Sequence, residues 1–174
     1  MNLKPFEMAS EFHRVFDDRA PQTPTPFPLQ EAIFRQGFKI EEIIELLYAS
    51  SNDTQDFLTA IEAMHRAIDQ SKEKMLKKGH PHEETQETIL TNQVDALVDL
   101  LYFVYGSFVL LGIDPEPMLE IVHQANMGKL FPDGRPHYDE VTHKVLKPEQ
   151  WMEKYAPEKK IALEIERQRI RKQE

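Results

Sequence analysis

The feature that most constrains the fold is an apolar segment that holds two acids, "DALVDLLYFVYGSFVLLG", which begins at Asp95. Residues 96–113 reach the length of a membrane span, but Asp95 and Asp99 argue against one because a charge at mid-bilayer is costly. A helix that is apolar nearly all round is typical of a buried core element. We therefore predict a buried central helix and no membrane partner.

The two aspartates of this helix raise the first functional expectation. At 100° per residue, Asp95, Asp99, Tyr102 and Gly106 fall within roughly 60° of one another, on a helix that is otherwise mostly Val, Leu, Phe and Ala. Taking a bare carboxylate out of water costs several kcal/mol even after relaxation. A cationic side chain, a proton or a metal ion must compensate for that cost.

A second acidic set lies upstream in "KIEEIIELLYA". Glu41 and Glu45 border the apolar stripe of this helix, and Glu42 lies further round, one turn from Glu45. If this helix crosses the first, four or five carboxylates converge, and each pair of like charges 4 Å apart repels by about 4 kcal/mol at an effective dielectric near 20. Oxygen ligands in this number suit Mg²⁺ or Mn²⁺. The alternative is that the glutamates decorate a solvated helix face.

The remaining pattern predicts helices and no convincing strand run. We predict helices over 3–17, 29–50, 54–78, 83–111 and 115–127 and a terminal helix from 157. "APQTPTPFP" predicts an extended connector, and a long loop with room for a short strand pair follows residue 129. The chain is predicted to be an all-α helical bundle in one domain over 1–174, with an irregular segment after the fourth core helix. Its parts are an N-terminal helix and connector (1–28), a metal-binding core (29–130), a loop (131–156) and a terminal helix (157–174).

Composition narrows the classes of function. The chain has no cysteine, which excludes disulfides and thiolate-bound metals. Its net charge of −9 argues against a nucleic-acid partner, and an acidic chain that binds a polyphosphate must recruit metal cations. The segment "MNLKPFEMASEF" does not have the pattern of a signal peptide, so we expect a cytoplasmic protein.

The two acidic motifs carry a family resemblance. "EEIIEL", followed on a later helix by "DALVDLLYFVYG", resembles the MazG-like all-α nucleoside triphosphate pyrophosphohydrolases, the superfamily that includes phosphoribosyl-ATP pyrophosphohydrolase. "EFHRVF", "ANMGKL" and "DG…HKVLKPEQW" extend the resemblance over about residues 11–151. The resemblance implies Mg²⁺-dependent hydrolysis between the α and β phosphorus atoms of a nucleoside triphosphate, giving a nucleoside monophosphate and pyrophosphate.

The resemblance also implies a ligand set. In the family, the glutamates of EExxE and the acids of a downstream ExxD hold Mg²⁺, and by residue type Glu41, Glu42, Glu45 and Asp99 take those places. Alanine stands where ExxD has its glutamate, and Asp95, one full turn before Asp99, is the natural substitute. We assign Glu42, Glu45, Asp95 and Asp99 to metal binding, and Glu41 to a further ligand or to the attacking water.

Substrate contacts follow from the same resemblance. It gives "NMGKL" a substrate-contact role, so we expect Asn126 and Lys129 to bind phosphate oxygens. Arg35, Arg135 and Lys147 are weaker candidates, each open to being a solvated surface charge. In the family, a second subunit supplies walls of the nucleobase pocket, so a homodimer or homotetramer is expected.

Two other functions remain open from the sequence. The pairs Glu62/His65 and Glu120/His123 imitate a ferritin-like di-iron bundle. Periodicity disfavours it, because it places Glu120 and His123 opposite the apolar face of their helix, towards solvent. The other alternative is a non-catalytic helical interaction module, suggested by a terminal helix with sparse apolar residues. The other histidines singled out fall in predicted loops, where chance placement is favoured over zinc binding: His80, His82, His137 and His143.

Overall fold

The computed structural model describes residues 4–79, 85–141 and 143–171. This part of the chain is all-helical and contains seven helices, which confirms the predicted fold class. One antiparallel bridge joins Tyr138 and Val145, so the long loop has a single bridge where a strand pair was expected. The helices are α1 (Pro5–Phe16), α2 (Leu29–Ser50), α3 (Thr54–Lys78), α4 (Gln86–Leu111), α5 (Glu116–Met127), α6 (Trp151–Lys154) and α7 (Glu158–Arg171).

Local chemistry sets the helix ends. The carboxylate of Asp53 accepts the Asp56 N–H and caps α3, and Gly79 ends it at a φ of 80°. Helix α5 begins at Glu116, one residue later than predicted, after the Asp114 carboxylate accepts the Glu116 N–H at 3.0 Å. The predicted loop over 131–156 contains a short helix that the sequence did not indicate, α6.

The chain divides into two compact units, Pro24–Ala96 and the combination of Met1–Thr23 with Leu97–Glu174, and the boundary falls within α4. In the second of these units, α5 packs against both α1 and α7. The buried apolar side chains of this unit are Phe16, Met118, Ala125 and Trp151. Helix α5 is thus packed between two other helices, and the residues after its C-terminus follow directly from this packed helix.

The Pro24–Ala96 unit is built on the contact of α2 with α3. The Tyr48 and Phe57 rings meet edge-on with centroids 5.3 Å apart. The backbone of Phe27, in the proline-rich connector, exchanges two hydrogen bonds with the Gln93 side-chain amide at 2.8 and 2.9 Å. This pair fixes the connector to the first half of α4.

Helix α4 corrects the prediction of a buried central helix. None of its described residues is buried, and large apolar side chains such as Tyr102, Phe103 and Leu110 are 76%, 71% and 90% exposed. The prediction is wrong for the single chain because an all-round apolar pattern shows that a helix needs cover without showing which molecule provides it. Of the helices in the described ranges, α4 alone is long and apolar enough to cross a membrane, a test that core helices of soluble proteins also pass.

Candidate active site

The predicted acids of α2 lie on an accessible helix surface. Glu41, Glu42 and Glu45 are all exposed, whereas Ile44 and Leu47 on the same helix are half-buried. Glu42 and Glu45 stand one turn apart and form no hydrogen bond or ion pair within the described chain. The oxygen atoms of these two neighbouring carboxylates therefore accept no hydrogen bond from the described residues.

The predicted acids of α4 are exposed as well. Asp95 and Asp99, one turn apart, make no hydrogen bond or ion pair with the described residues. Their predicted burial is wrong for the single chain, for the reason that applies to α4 as a whole. No cationic side chain in the described ranges neutralises these carboxylates.

The described part of the chain contains no assembled metal site. Among residues 4–79, 85–141 and 143–171, no group of three or more histidine or acidic side chains is placed to hold a metal ion. The metal ligand set of Glu42, Glu45, Asp95 and Asp99 therefore stays a prediction.

Helix α2 also carries cations near its acids. The Arg35 guanidinium lies 5.7 Å from the Phe38 ring centroid, and Lys39 Nζ donates to the Arg35 carbonyl oxygen at 3.3 Å. Partial burial lowers the pKa of Lys39, and the charge of Arg35 lowers it further. The sequence analysis considered Arg35 and did not consider Lys39, which lies one turn after it on the same helix.

The predicted substrate residues Asn126 and Lys129 are brought together. Lys129 Nζ donates to Asn126 Oδ1 at 2.7 Å, and both residues are half-buried. Between them, Gly128 lies against the Tyr155 ring so closely that a Cβ at position 128 would overlap the ring. The glycine of "NMGKL" is therefore required by close packing.

A buried tryptophan connects Lys147 to the same region. Trp151 Nε1 donates to the Ala125 carbonyl oxygen at 2.8 Å, and Lys147 Nζ lies 4.1 Å from the Trp151 ring centroid. Ala125 directly precedes Asn126, so Asn126, Lys129 and Lys147 belong to one connected set of contacts in the unit built around α5. Arg35 belongs to the other unit.

Residues 131–137 form a hydrogen-bonded loop after Lys129. The Phe131 and His137 rings stack with centroids 4.0 Å apart, and His137 Nε2 lies 2.9 Å from Asp133 Oδ2. This hydrogen bond, followed by one from the Arg135 N–H, holds the pKa of the Asp133 carboxyl below its ordinary value. Sequence reasoning placed His137 in a loop and missed its partners.

Helix α5 also corrects the prediction that Glu120 and His123 face solvent. Both residues are half-buried, and His123 Nε2 lies 3.1 Å from Glu11 Oε2 on α1. The prediction is wrong because α5 is packed on two sides, which leaves little of it open. Glu62 and His65, the other pair of the di-iron reading, are exposed on α3.

A groove of about 420 Å³ opens beside the N-terminal ends of α1 and α5. Its walls include Met8, Leu119, Glu120 and Arg167. Of these, only Glu120 was named in the sequence analysis, as a ligand of the di-iron alternative. None of them is among the residues predicted to bind Mg²⁺ or a nucleotide. The groove is therefore separate from the residues on which the chemistry was predicted.

Comparison with known proteins decides the family. The sequence model of phosphoribosyl-ATP pyrophosphohydrolase matches residues 9–126, a range that holds the acids of α2 and α4 and reaches Asn126. The chain belongs to the phosphoribosyl-ATP pyrophosphohydrolase family. Lys129 and Lys147 lie beyond the matched range.

A solved structure agrees with this family. A candidate NTP pyrophosphohydrolase from Exiguobacterium sp. 255-15 is 39% identical to the chain, with a TM-score of 0.88 over 99% of both chains. No match was found among curated proteins. The chain is accordingly a nucleotide pyrophosphohydrolase, a hydrolase that acts on pyrophosphate bonds.

Proposed function

We propose that this protein hydrolyses the α–β phosphoanhydride of a nucleoside triphosphate with the help of Mg²⁺ or Mn²⁺, releasing a nucleoside monophosphate and pyrophosphate. The observation that carries the proposal is the family match over residues 9–126, because this range contains both acidic helices. Phosphoribosyl-ATP, which also contains a triphosphate, belongs to the same substrate class.

The side chains available on α2 and α4 fit a divalent cation. Glu42, Glu45, Asp95 and Asp99 are exposed carboxylates without a cationic partner in the described ranges, and each helix presents its two acids one turn apart. Hard oxygen ligands of this kind suit Mg²⁺ and Mn²⁺. A bound ion would neutralise phosphate charge and acidify a coordinated water. Glu41 is the further ligand or the group that orients the attacking water.

The residues that follow α5 supply phosphate contacts in this proposal. With Asn126 Oδ1 accepting from Lys129, the Asn126 amide still has N–H donors for a phosphate oxygen. The Lys129 ammonium is fixed by the same hydrogen bond, which lowers the entropy lost when it binds an anion. Lys147, positioned over Trp151, adds a third donor to this set.

A second copy of the chain is the proposed cover of α4. An apolar helix with no buried residue exposes far more hydrophobic surface than a monomer ordinarily tolerates. Asp95 and Asp99 disfavour lipid as that cover. A homodimer or homotetramer would bury the helix and shelter the carboxylates from water. Their electrostatic interaction with a metal ion would then be stronger, because the effective dielectric is lower in a sheltered site.

The reaction is tested by incubating the purified protein with a panel of nucleoside triphosphates and phosphoribosyl-ATP, with Mg²⁺, with Mn²⁺ and with EDTA. Phosphorus NMR identifies the products. We expect a nucleoside monophosphate and pyrophosphate, and no turnover in EDTA. Release of orthophosphate with a nucleoside diphosphate, or no turnover of any nucleotide, contradicts the proposal.

Asp99→Asn tests the metal assignment. Turnover should fall at least about 100-fold, the scale seen when a transition-state electrostatic contact is lost. The unfolding free energy of the metal-free protein should stay the same or rise, because Asp99 has no partner to lose among the described residues and removing one of several crowded carboxylates relieves like-charge repulsion. Glu73→Gln, an exposed acid on α3, is the matched control and should keep wild-type turnover. Asp99→Asn with full turnover would remove Asp99 from the site.

Assembly is tested by light scattering after size exclusion, where we expect a multiple of the 20.4 kDa chain mass. Val109→Glu, on α4, should shift the equilibrium towards monomer because it places a charge in the proposed interface. Leu163→Glu, on α7, is the control, since Leu163 is comparably exposed at 73% against 77% for Val109. A wild-type chain that is monomeric at micromolar concentration would contradict this part of the proposal.

A further inference from the structure

The loop that follows Lys129 is held in shape by its own backbone. The Phe131 N–H donates to the Arg135 carbonyl oxygen at 3.1 Å, and the Gly134 N–H donates to the Phe131 carbonyl oxygen at 2.9 Å. Gly134 has a φ of 74°, a conformation that glycine adopts without a steric cost. The Asp133 carboxylate accepts the Arg135 N–H at 3.0 Å. These bonds fix the direction in which the side chains of the loop project.

The loop presents an aromatic surface to solvent. The Phe131 and His137 rings are nearly parallel, with an interplanar angle of 6°, so Phe131 covers one face of the imidazole. Asp133 holds Nε2 of that ring, yet 45% of the His137 side chain remains exposed. Phe131 makes the one ring contact of His137 among the described residues, so the opposite face of the imidazole has no aromatic partner there. The ring is thus supported by Phe131 on one face and by Asp133 at Nε2, in a side chain that is nearly half exposed.

This face lies close along the chain to the predicted phosphate contacts. Phe131 is two residues from Lys129, a separation that a fully extended chain spans in about 7 Å at most. The backbone still turns at this point, since the Leu130 N–H donates to the Met127 carbonyl oxygen at 3.2 Å. A nucleotide whose phosphates bind Asn126 and Lys129 has its ribose and base within reach of the loop.

From this juxtaposition we propose that the open face of His137, braced by Phe131 and Asp133, is the platform on which the nucleobase of the substrate stacks. The inference rests on the proposed function and names the base-binding element of that same site. Every nucleobase has a π-face, so a stacking platform of this kind accepts purines and pyrimidines alike. Hydrogen bonds elsewhere in the site would then decide among bases.

The test compares nucleotide with base-free ligands in His137→Ala. The KM of the nucleoside triphosphate and the inhibition constant of the nucleoside monophosphate should each rise about tenfold, equivalent to about 1.4 kcal/mol and within the range for one stacked base. The inhibition constant of pyrophosphate should stay within twofold of wild type, because pyrophosphate has no base to stack. Nearly equal changes for both ligands would mean that the variant disturbs the phosphate contacts, and would overturn the platform.

Two further variants separate stacking from the hydrogen bond to Asp133. His137→Phe retains an aromatic face and should keep the monophosphate inhibition constant within about threefold of wild type. His137→Gln retains a polar group without a ring and should resemble His137→Ala. His143→Asn, in the same segment, is the control and should leave all constants unchanged. A glutamine variant that binds as well as wild type overturns the inference.

A direct binding measurement tests base stacking on His137 separately from the proposed hydrolysis. Saturation-transfer NMR with a nucleoside monophosphate should show base protons in close contact with the wild-type protein, and the effect should weaken in His137→Ala. Turnover without a loss of base contacts in the variant overturns the platform and leaves the reaction standing. Wild-type protein that neither turns over nor binds any nucleotide overturns both.

Discussion

Replacing Trp151 by phenylalanine tests whether one buried hydrogen bond holds the end of α5. The last carbonyl groups of an α-helix have no partner within the helix. Those of Gln124, Asn126 and Met127 accept N–H groups from the three residues after the helix, whereas the Ala125 carbonyl accepts Trp151 Nε1–H. The Lys129 and Leu130 N–H groups bond to carbonyls three residues back, so no backbone N–H in the turn reaches the Ala125 carbonyl. Trp151 therefore supplies the hydrogen bond that the backbone does not.

The magnitude follows from burial. Ala125 is 3% exposed and Trp151 5%, so water has little access to replace the missing donor. A buried acceptor left unsatisfied costs about 1–3 kcal/mol. Phenylalanine keeps an aromatic face for Lys147 and most of the buried apolar surface, so the change isolates the N–H group as far as a single substitution can.

The assay is urea unfolding followed by circular dichroism, with a thermal scan alongside. Trp151→Phe should lower the unfolding free energy by about 1–3 kcal/mol, and a chain of this size loses about 2–4 °C of Tm per kcal/mol. The control is Met152→Leu, one residue away and 67% exposed, which should stay within about 0.5 kcal/mol of wild type. A loss below about 0.5 kcal/mol in Trp151→Phe would refute the reasoning.

Three further predictions concern stability. Gly128→Ala should cost about 1–3 kcal/mol in urea unfolding because its methyl group meets the Tyr155 ring, and it should cost much less in a Tyr155→Ala background; equal costs in both backgrounds would exclude the clash. Gln168→Leu should cost about 1–2 kcal/mol by the same measurement, since the buried Gln168 amide accepts the Asp114 N–H at 2.8 Å and donates to its carbonyl oxygen at 3.0 Å; a neutral effect would show that water replaces the amide. The pKa of Asp17 is lowered chiefly by its hydrogen bond from Arg19, so the contribution of this carboxylate is present above the unfolded pKa near 4 and lost as the pH falls through the lower folded value. Asp17→Asn should therefore destabilise the protein by less than about 1 kcal/mol at pH 7 and by progressively less as the pH falls below about 4, and a deficit that persists unchanged in acid would contradict this assignment.

The parts of the fold that depend on local chemistry were predictable from the sequence. Helices α2 and α3 begin and end at the predicted residues because Asp53, Gly79 and the apolar spacing act within a few residues of one another. Helix α6 was missed because its four residues are stabilised by the distant contact of Trp151 with Ala125. No pattern local to residues 151–154 contains that information.

In the candidate site, too, local contacts were predictable from the sequence and long-range contacts were not. The contact between Asn126 and Lys129 follows from helical spacing and the turn after α5, and the structure brings the two residues together. Whether the α2 and α4 acids meet depends on long-range packing, which the sequence does not contain, and no described residue of α4 is buried in the single chain. Periodicity showed that Asp95 and Asp99 share a helix face and that this helix needs cover. It did not distinguish cover by the same chain from cover by another.

The claim on which the function depends is that acids of α2 and α4 bind the same divalent ion. Electron paramagnetic resonance of Mn²⁺, titrated into the assembled protein, measures that binding directly. We expect saturable binding in the wild type, loss of at least about tenfold in affinity in both Glu45→Gln and Asp99→Asn, and no change in Glu73→Gln. Wild-type affinity in either of the first two variants would contradict the claim.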